Sequence, residues 1–309
     1  MSDVLAVVGT ISDRWQQRIR EARPDLTVLF YANPHDLENH HDPRISILAA
    51  GGGRATRNLC EKLPRLRWLQ TFSAGVDGVV DALPSHVMIT SMKGLNQVAV
   101  AQHAMALILS LIRLAPNPAS ASHAEQVPLR TLEGMVHLII GYGHIGQQIG
   151  KYSVHFGMTV HGISRTPRPD HNVFAWSELD QKIGDADVVT LACPLTPSTA
   201  GLINHERLLR MKSGALLINI ARGEVVDQDA LLTSLTSGHL GGAGLDVTTP
   251  EPLPKNHPLL QVPCVVVTPH VAGNLPDYMD RAAAWLIDNL ERDRDGRPLQ
   301  NLVNRADGY

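Results

Sequence analysis

Between residues 136 and 270 the chain repeats one pattern six times: a short apolar run, a polar or glycine-bearing turn, and a helical stretch. The apolar runs are VHLII, MTVHGI, DVVTLA, ALLINI, GAGLDV and CVVVT. Strands that alternate with helices predict a parallel sheet with helices on both faces. Ligands of such sheets bind outside the carboxyl ends of the strands, so we expect a binding site where the six turns gather.

The first hundred residues predict a smaller unit of the same α/β architecture. Gly51–Gly53 and the segment 73–76 each follow an apolar run. Short irregular backbone after a strand exposes N–H groups that suit an anion such as a carboxylate. For Gly51–Gly53 a simple turn explains the glycines equally well. The strand candidates are residues 4–9, 26–31, 45–50, 66–72 and 87–91, and the helical stretches include 13–22 and 56–62.

A length of 309 residues is typical of two domains. The helix predicted over 98–114 is apolar on too many faces for a surface helix, so we expect it to pack between domains or subunits. Residues 117–126 are predicted to form a loop, and an amphipathic helix over 277–290 follows the last strand. The chain thus leaves the first unit and returns to it, with two hinges flanking a cleft that can close away from water. The predicted domains are a substrate domain of residues 1–97 and 277–309 and a dinucleotide-binding domain of residues 98–276.

Composition excludes several classes of protein. A net charge of -3, with 44% hydrophobic and 18% charged residues, is typical of a soluble globular protein and gives no footprint for nucleic acid. No apolar run reaches the roughly 18 residues of a membrane helix, and the first residues contain no leader pattern, so we expect a cytoplasmic protein. The three cysteines have neither a disulfide framework nor metal-ligand spacing. No metal site is predicted, and Cys193 is interpreted as a buried, inert thiol.

A glycine motif follows the strand VHLII. Gly141, Gly143 and Gly146 form G-x-G-x-x-G and open a helix predicted over 144–155. The first glycine permits a tight turn, the second lets a pyrophosphate approach, and the third allows the helix to pack on the strand. The helix N-terminus then favours the phosphate charge. This context predicts dinucleotide binding by residues 141–146, including Tyr142, His144 and Ile145, although a simple exposed position explains His144 as well.

The next strand end indicates which dinucleotide binds. NAD enzymes place Asp or Glu about 20 residues after the motif to bond the ribose hydroxyls. This chain has Ser164, Arg165 and Thr166 there, with Arg168 close by. An arginine fork and two hydroxyls suit a 2′-phosphate, which favours NADP(H) and leaves NAD(H) as the alternative.

Three further strand ends present groups that could carry out chemistry. Arg222 follows the strand ALLINI, Glu251 lies in the turn TTPEPLP, and His270 follows the strand CVVVT. An arginine can hold the carboxylate of a 2-oxo acid, and a histidine can protonate its carbonyl oxygen as hydride arrives. A carboxylate beside that histidine favours the imidazolium form and orients the ring. Each residue alone also has a structural explanation, but together they predict a catalytic set.

Six segments carry a resemblance to a known family. They are FSAGVDGV, KGLNQVAVAQHA, GYGHIG, INIARGEVVD, LDVTTPEPLP and TPHVAG. In this order, along nearly the whole chain, they resemble the D-isomer-specific 2-hydroxyacid dehydrogenases. The SRT triplet and the segment GRPLQNLVNR resemble the glyoxylate/hydroxypyruvate reductase branch. The resemblance implies a flavodoxin-like substrate domain, a Rossmann cofactor domain, and a homodimer joined through the cofactor domains with helix 98–114 in the interface.

The resemblance also implies roles for single residues. Arg222 would bind substrate, His270 would be the acid/base with Glu251 as its partner, and Asp246 would face the nicotinamide carboxamide. Gln102 departs from the family, since many members have glutamate there. The substrate carboxylate would be held by the backbone amides of Ala74, Gly75 and Val76. The remaining cofactor-binding candidates at strand ends are Pro194, Thr199, Ile220, Ala221 and Gly273.

The predicted function is the reduction of a small 2-oxo acid, such as glyoxylate or hydroxypyruvate, with hydride from NADPH and a proton from His270. One alternative is an NADH-dependent enzyme that oxidises a 2-hydroxy acid. The other is a cofactor-sensing binding protein, because some relatives of the family are transcriptional co-repressors that keep the fold. The chain shows no tail or low-complexity segment that would recruit partners, which favours the enzyme.

Overall fold

Two parallel β-sheets organise the chain, one in each of two units. The computed structural model describes residues 3–40, 42–113 and 130–305. The first unit comprises Met1–Asn96 and Leu275–Tyr309, and the second comprises Gln97–Asn274. The predicted loop at 117–126 lies outside the described residues.

Strands and helices alternate along both units, as the sequence predicted. The strands are β1 (Val4–Val8), β2 (Thr27–Tyr31), β3 (Ile45–Ala50), β4 (Trp68–Thr71), β5 (Met88–Thr90), β6 (Val136–Ile140), β7 (Thr159–Ile163), β8 (Val173–Phe174), β9 (Val188–Leu191), β10 (Leu216–Asn219), β11 (Gly242–Leu245) and β12 (Val265–Val267). The α-helices are α1 (Asp13–Ala22), α2 (Pro34–Asn39), α3 (Arg54–Glu61), α4 (Gln97–Arg113), α5 (His144–His155), α6 (Leu179–Lys182), α7 (His205–Arg210), α8 (Gln228–Thr236) and α9 (Tyr278–Arg294). The eleven predicted strands are confirmed within one or two residues at each end, and β8 was not predicted.

The sheet of the first unit has five strands in the order β2-β1-β3-β4-β5, all paired in parallel. Every residue of β1 is buried, because both faces of the sheet are covered. Leu5 and Val7 join a core cluster with α1 and α9, while Ala6 and Val8 join a cluster with α2 and α3. Alternate residues of a strand point to opposite faces, so one apolar run supplies both cores.

Helix α9 is bound to this sheet by polar contacts as well as by its apolar face. Asp293 accepts hydrogen bonds from the guanidinium groups of Arg23 (2.7 Å) and Arg67 (2.8 and 2.9 Å). In the buried interior, Gln70 Oε1 accepts hydrogen bonds from Thr90 Oγ1 (2.8 Å) and Asn289 Nδ2 (2.9 Å). Buried polar groups are stable only when they are paired, so these contacts determine where the returning segment sits on the first unit.

The sheet of the second unit has seven parallel strands in the order β12-β11-β10-β9-β6-β7-β8. From β6 the chain builds outward to β7 and β8, and then crosses to β9 on the other side of β6. The carboxyl ends of β6 and β9 therefore flank the point where the winding direction reverses. Open α/β sheets bind ligands at this reversal point, and the glycine motif follows β6 directly.

Helix α4 packs within its own unit. It contacts α5 and the strands β10, β11 and β12, and residues such as Ala101, Ala104 and Ile108 are fully buried there. The sequence predicted that its apolar surface packs between domains or subunits; in the structure α5 and the sheet of the second unit cover its buried residues. Val98 and Gln102 remain exposed. Contact of this helix with a partner subunit stays a prediction.

A buried histidine lies in the middle of β6. His137 is fully buried, with Nδ1 2.8 Å from Ser153 Oγ and Nε2 2.7 Å from Thr190 Oγ1. The Ser153 hydroxyl is also 3.0 Å from Ile149 O. Burial lowers the pKa of His137 to about 3, so the ring is neutral at physiological pH.

Among the described residues, no helix is long and apolar enough to cross a membrane.

Candidate active site

The three glycines of the turn after β6 are required for different structural reasons. A Cβ at Gly141, whose φ is +98°, would lie 2.5 Å from Cys193 N, and a Cβ at Gly146 would overlap Gly141 O. Gly143 caps α5 and has open space around the position of a Cβ. Two glycines thus permit close packing, while the third leaves room for a ligand at the helix N-terminus. These residues fit a bound pyrophosphate, whose charge the helix end favours.

The remaining residues of the motif have separate structural roles. His144 and Ile145 begin α5, the first exposed and the second half-buried. The ring of Tyr142 packs against two further glycines, because a Cβ at Gly162 would lie 2.5 Å from its Cγ and a Cβ at Gly150 would lie 2.5 Å from its hydroxyl. Burial raises the pKa of Tyr142. The aromatic ring therefore joins β7 to α5 beneath the glycine turn.

The end of β7 lies beside this turn. Gly141 and Tyr142 both donate their backbone N–H groups to Ile163 O at 3.0 Å. Ser164 follows at once, and its hydroxyl oxygen accepts a hydrogen bond from Thr166 N at 3.2 Å. Arg165 and Thr166 are exposed. The predicted dinucleotide residues of the motif and of the β7 end are therefore close together.

His270 and Glu251 form a close pair beyond the ends of β11 and β12. The distance between His270 Nδ1 and Glu251 Oε1 is 2.6 Å. The side chains are 48% and 38% exposed, so the ring stays accessible to a ligand. Because the carboxylate oxygen can only accept, Nδ1 carries a proton toward it, and Nε2 is the nitrogen left for other chemistry. The sequence predicted this pair from residues 19 positions apart.

His270 adopts a backbone conformation that favours glycine. Its φ is +53°, and its N–H donates to Asp246 O at 2.8 Å. The carboxylate of Asp246 accepts hydrogen bonds from Val271 N (2.9 Å) and Ala272 N (3.0 Å). Thr268 Oγ1 donates to the same carboxylate at 2.6 Å. Asp246 is 2% exposed and thus anchors the turn that carries His270.

Arg222 follows β10 in a loop that a buried asparagine shapes. Asn219 Nδ2 donates to Arg222 O at 2.8 Å, and Asn219 Oδ1 accepts from Ala221 N at 3.0 Å. The guanidinium of Arg222 donates to Ala221 O at 2.7 Å. Glycine is required at position 223, because a Cβ there would overlap Thr248 O. The loops after β10 and β11 are therefore packed together.

Comparison with known proteins identifies the family of the chain. The profile described as "D-isomer specific 2-hydroxyacid dehydrogenase, NAD binding domain" matches residues 105–272. That range contains the glycine turn and the loops that carry Arg222, Glu251 and His270. The chain belongs to the D-isomer specific 2-hydroxyacid dehydrogenases. It is accordingly an NAD(P)-dependent oxidoreductase, and it resembles the glyoxylate/hydroxypyruvate reductase branch.

Individual relatives of this dehydrogenase extend the likeness over the whole chain. A glyoxylate/hydroxypyruvate reductase B from Escherichia fergusonii is 32% identical, with 98% of each chain covered. A hydroxypyruvate reductase from Blautia hydrogenotrophica is 31% identical over 81% of this chain and 82% of its own. The crystal structure of a D-isomer specific 2-hydroxyacid dehydrogenase from Xanthobacter autotrophicus, in complex with NADPH and MES, is 30% identical, has a TM-score of 0.86 and covers 100% of both chains.

Other predicted cofactor residues of the dehydrogenase lie at the same edge of the sheet. Pro194 and Thr199 belong to the loop after β9, where Thr199 Oγ1 donates to Pro194 O at 2.6 Å. Ile220 and Ala221 follow β10 and are buried, and Gly273 follows the turn of His270.

Cys193 is 3% exposed, and burial raises the pKa of its thiol to about 12, which agrees with an inert thiol. Among the described residues, no cluster of His, Cys, Asp and Glu is arranged to hold a metal.

The predicted carboxylate loop belongs to the first unit. It follows β4, and Ser73 Oγ donates to Gly75 O at 2.7 Å. Within the described part of the chain, the N–H groups of Ala74, Gly75 and Val76 donate no hydrogen bond. Gly52 packs against this loop so closely that a Cβ would lie 2.6 Å from Gly75 O and overlap the Ser73 hydroxyl. Gly52 thus has a packing role that a simple turn does not require, whereas a Cβ at Gly51 or Gly53 would meet nothing within 4 Å.

Sequence reasoning missed three polar residues that support the site. Asn219 and Thr268 are two of these, and Gln228 is a third, since it bonds both Thr249 N (3.0 Å) and Thr249 O (2.6 Å) ahead of Glu251. A polar residue at the end of an apolar strand, as in the runs LLIN and VVVT, is the signal that could have found Asn219 and Thr268. No comparable pattern marks Gln228, which lies at the start of α8.

Proposed function

We propose that the dehydrogenase reduces a small 2-oxo acid of the glyoxylate or hydroxypyruvate type to the D-2-hydroxy acid, with NADPH preferred over NADH. The observation that carries the proposal is the pair of His270 and Glu251 at 2.6 Å, accessible at the strand ends of a dinucleotide-binding sheet. The named activities of the relatives from Escherichia fergusonii and Blautia hydrogenotrophica support the substrate class.

The proton chemistry follows from the orientation of His270. Since the N–H at Nδ1 donates its hydrogen bond to Glu251, the imidazolium holds its transferable proton on Nε2. The reduced nicotinamide, when bound, supplies the hydride that reaches the carbonyl carbon. His270 then donates its Nε2 proton to the carbonyl oxygen, and Glu251 stabilises the charged ring before transfer.

Substrate binding in this proposal uses one side chain and one backbone loop. Arg222 offers a planar fork of donors that matches a carboxylate or the adjacent carbonyl. The N–H groups of Ala74, Gly75 and Val76 would hold the substrate carboxylate. Within the described residues, those N–H groups donate no hydrogen bond to the protein, which supports a role in binding the carboxylate.

The preference for NADPH rests on the β7 end. No carboxylate occurs from Ser164 to Arg168, so the usual partner of the ribose hydroxyls in NAD enzymes is missing there. Arg165 is exposed beside the glycine turn and suits a 2′-phosphate. The relative crystallised with NADPH supports the proposal. A homodimer and a cytoplasmic location stay predictions.

The experiment measures oxidation of NADPH and NADH with glyoxylate, hydroxypyruvate, pyruvate and phenylpyruvate. We expect turnover of glyoxylate and hydroxypyruvate, with a lower KM for NADPH than for NADH. Arg165→Ala should raise the KM for NADPH roughly 10-fold or more, because a charge-assisted contact is lost, and leave that for NADH nearly unchanged. Arg210→Ala, an exposed arginine on α7, is the matched control.

Two outcomes would contradict parts of the proposal. An equal loss for both cofactors in Arg165→Ala would remove the argument for NADPH while keeping the enzyme class. Measurable cofactor binding without turnover of any oxo acid would instead favour the cofactor-sensing binding protein.

A further inference from the structure

His270 lies in a turn whose backbone conformation is unfavourable for a residue with a side chain, so other contacts must stabilise it. Residues with a Cβ rarely adopt φ near +53°, and they do so only where surrounding contacts determine the conformation. The turn Thr268–Ala272 supplies those contacts through Asp246, which accepts from Val271 N and Ala272 N. The direction of the His270 ring therefore depends on where the Asp246 carboxylate lies.

Asp246 is oriented in turn by two residues that the proposed chemistry does not use. Thr268 Oγ1 lies 2.6 Å from Asp246 Oδ1, and His103 Nε2 lies 2.9 Å from Thr268 Oγ1. His103 Nε2 is also 3.4 Å from Asp246 Oδ1. His103 belongs to α4, so this contact links the long helix to the strand-end turn of the same unit.

The direction of each hydrogen bond can be derived. A carboxylate has no proton to give, so the single hydroxyl proton of Thr268 points toward Asp246. The Thr268 oxygen can then only accept from the ring of His103, which places a proton on His103 Nε2. The chain of donors therefore runs from His103 to Thr268 to Asp246. A buried carboxylate requires such donors, and Asp246 is 2% exposed.

We propose that Thr268 and His103 are positioning residues for proton transfer, acting through Asp246 on the backbone that carries His270. This inference rests on the proposed role of His270 as proton donor. Asp246 has acceptor positions for about four hydrogen bonds and uses three within the turn, so it remains able to meet a nicotinamide carboxamide. Thr268 and His103 contact neither substrate nor cofactor in this proposal; they control the angle at which His270 presents Nε2.

The test compares variants that remove one donor with variants that retain it. Thr268→Val removes the hydroxyl at equal size, and Thr268→Ser keeps it. His103→Leu removes the Nε2 donor, while the amide of His103→Gln places an N–H at a similar distance along the side chain. Thr236→Val, an exposed threonine on α8, is the matched control.

We expect Thr268→Val and His103→Leu each to lower kcat roughly 10-fold, with Km for substrate and for NADPH changed about 2-fold or less. Thr268→Ser and His103→Gln should retain most of the wild-type kcat. The double variant Thr268→Val/His103→Leu should be no slower than the slower single variant, because both changes interrupt one chain of donors. Wild-type kcat in Thr268→Val would overturn the proposal, as would additive losses in the double variant.

A measurement independent of turnover separates this inference from the proposed function. Hydrogen exchange of the Val271 and Ala272 amides reports the anchoring of the turn directly. Their exchange should accelerate roughly 10-fold in Thr268→Val and His103→Leu, with the amides of β9 and β10 unchanged. If the wild-type protein reduces no 2-oxo acid, the proposed function fails while the exchange data still decide the anchoring. Unchanged exchange in both variants would overturn the inference even in an active enzyme.

Discussion

The two units share a parallel α/β architecture but present different chemistry at their strand ends. In the second unit, side chains such as Arg222, Glu251 and His270 project from loops that buried polar residues hold in shape. In the first unit, the loop after β4 presents backbone N–H groups, and its shape depends on the close approach of Gly52. One sheet therefore presents side chains at its strand ends, and the other presents backbone N–H groups, to which the proposed function assigns an anion.

This difference predicts how each region responds to mutation. A side-chain site fails when the functional group is removed, even though the fold survives. A backbone site has no group to remove, so it fails only when the packing that shapes the backbone is altered. The interiors differ as well, because a fully buried histidine, His137, lies in the second unit, whereas the hydrogen-bonded network of Gln70, Thr90 and Asn289 in the first unit does not titrate.

The largest effect should come from the side-chain site. His270→Ala removes the proposed proton donor from an exposed position, so the fold should be retained while kcat falls roughly 10²- to 10⁴-fold. Steady-state kinetics measure the loss, and fluorescence titration should show that NADPH still binds. His205→Ala, an exposed histidine on α7, is the control and should leave kcat unchanged. A normal rate in His270→Ala would remove the catalytic assignment.

A smaller effect should follow from a change at the backbone site. A Cβ at Gly52 would lie 2.6 Å from Gly75 O, so Gly52→Ala should displace the loop 73–76 and raise the substrate KM roughly 10-fold. Removing the other clash with Ser73→Ala should not restore KM, because the backbone oxygen remains in the way. Gly51→Ala is the control, since its Cβ would meet nothing within 4 Å. Full rescue by Ser73→Ala would show that side-chain packing, rather than backbone position, shapes the loop.

A third effect concerns acid stability, and it is measured as protection from exchange rather than as turnover. Burial lowers the pKa of His137 from 6.5 to about 3, so below pH 6.5 the unfolded chain binds a proton that the folded chain does not. The contribution of neutral His137 to the free energy of unfolding is therefore fully present above pH 6.5 and is lost progressively as the pH drops toward 3.

Hydrogen exchange can measure this fall separately in each sheet. The amides of β6 and β9 should lose protection below pH 6.5 more steeply in the wild type than in His137→Gln, which pairs without titrating. The amides of β3 and β4 should show the same pH dependence in both proteins. Equal slopes for β6 in the two proteins would contradict the assignment of His137 as the acid-sensitive group.

Regular elements were predictable because their signals are local. The spacing of Gly141, Gly143 and Gly146 after an apolar run predicted the turn and the helix His144–His155, and the structure confirms both ends of that helix. Strand β8 was missed because its two residues, Val173 and Phe174, are too few to show a period. Helix α4 was predicted in the right place; α5 and the sheet cover its buried residues, and its contact with a partner subunit stays a prediction.

The sequence predicted the members of the candidate site but not the residues that support them. Arg222, Glu251 and His270 follow strands, and parallel strands bring their ends to one edge of a sheet. The roles of Asn219, Thr268 and His103 depend on hydrogen-bond geometry across elements far apart in sequence. The positive φ of His270 was equally invisible, since it results from tertiary contacts with Asp246.

The division of the first unit between two chain segments has a consequence for biosynthesis. Helix α9 covers the face of the sheet that contains Leu5, Ile47 and Trp68, yet the whole of Gln97–Asn274 must be translated before it. At translation rates of about 5–20 residues per second, that delay is on the order of 10–40 s. During this interval the nascent sheet exposes an apolar face while the second unit is being completed. We therefore expect a ribosome-bound chain stalled before α9 to bind chaperones. Once α9 has been synthesised and covers the apolar face, chaperone binding should end.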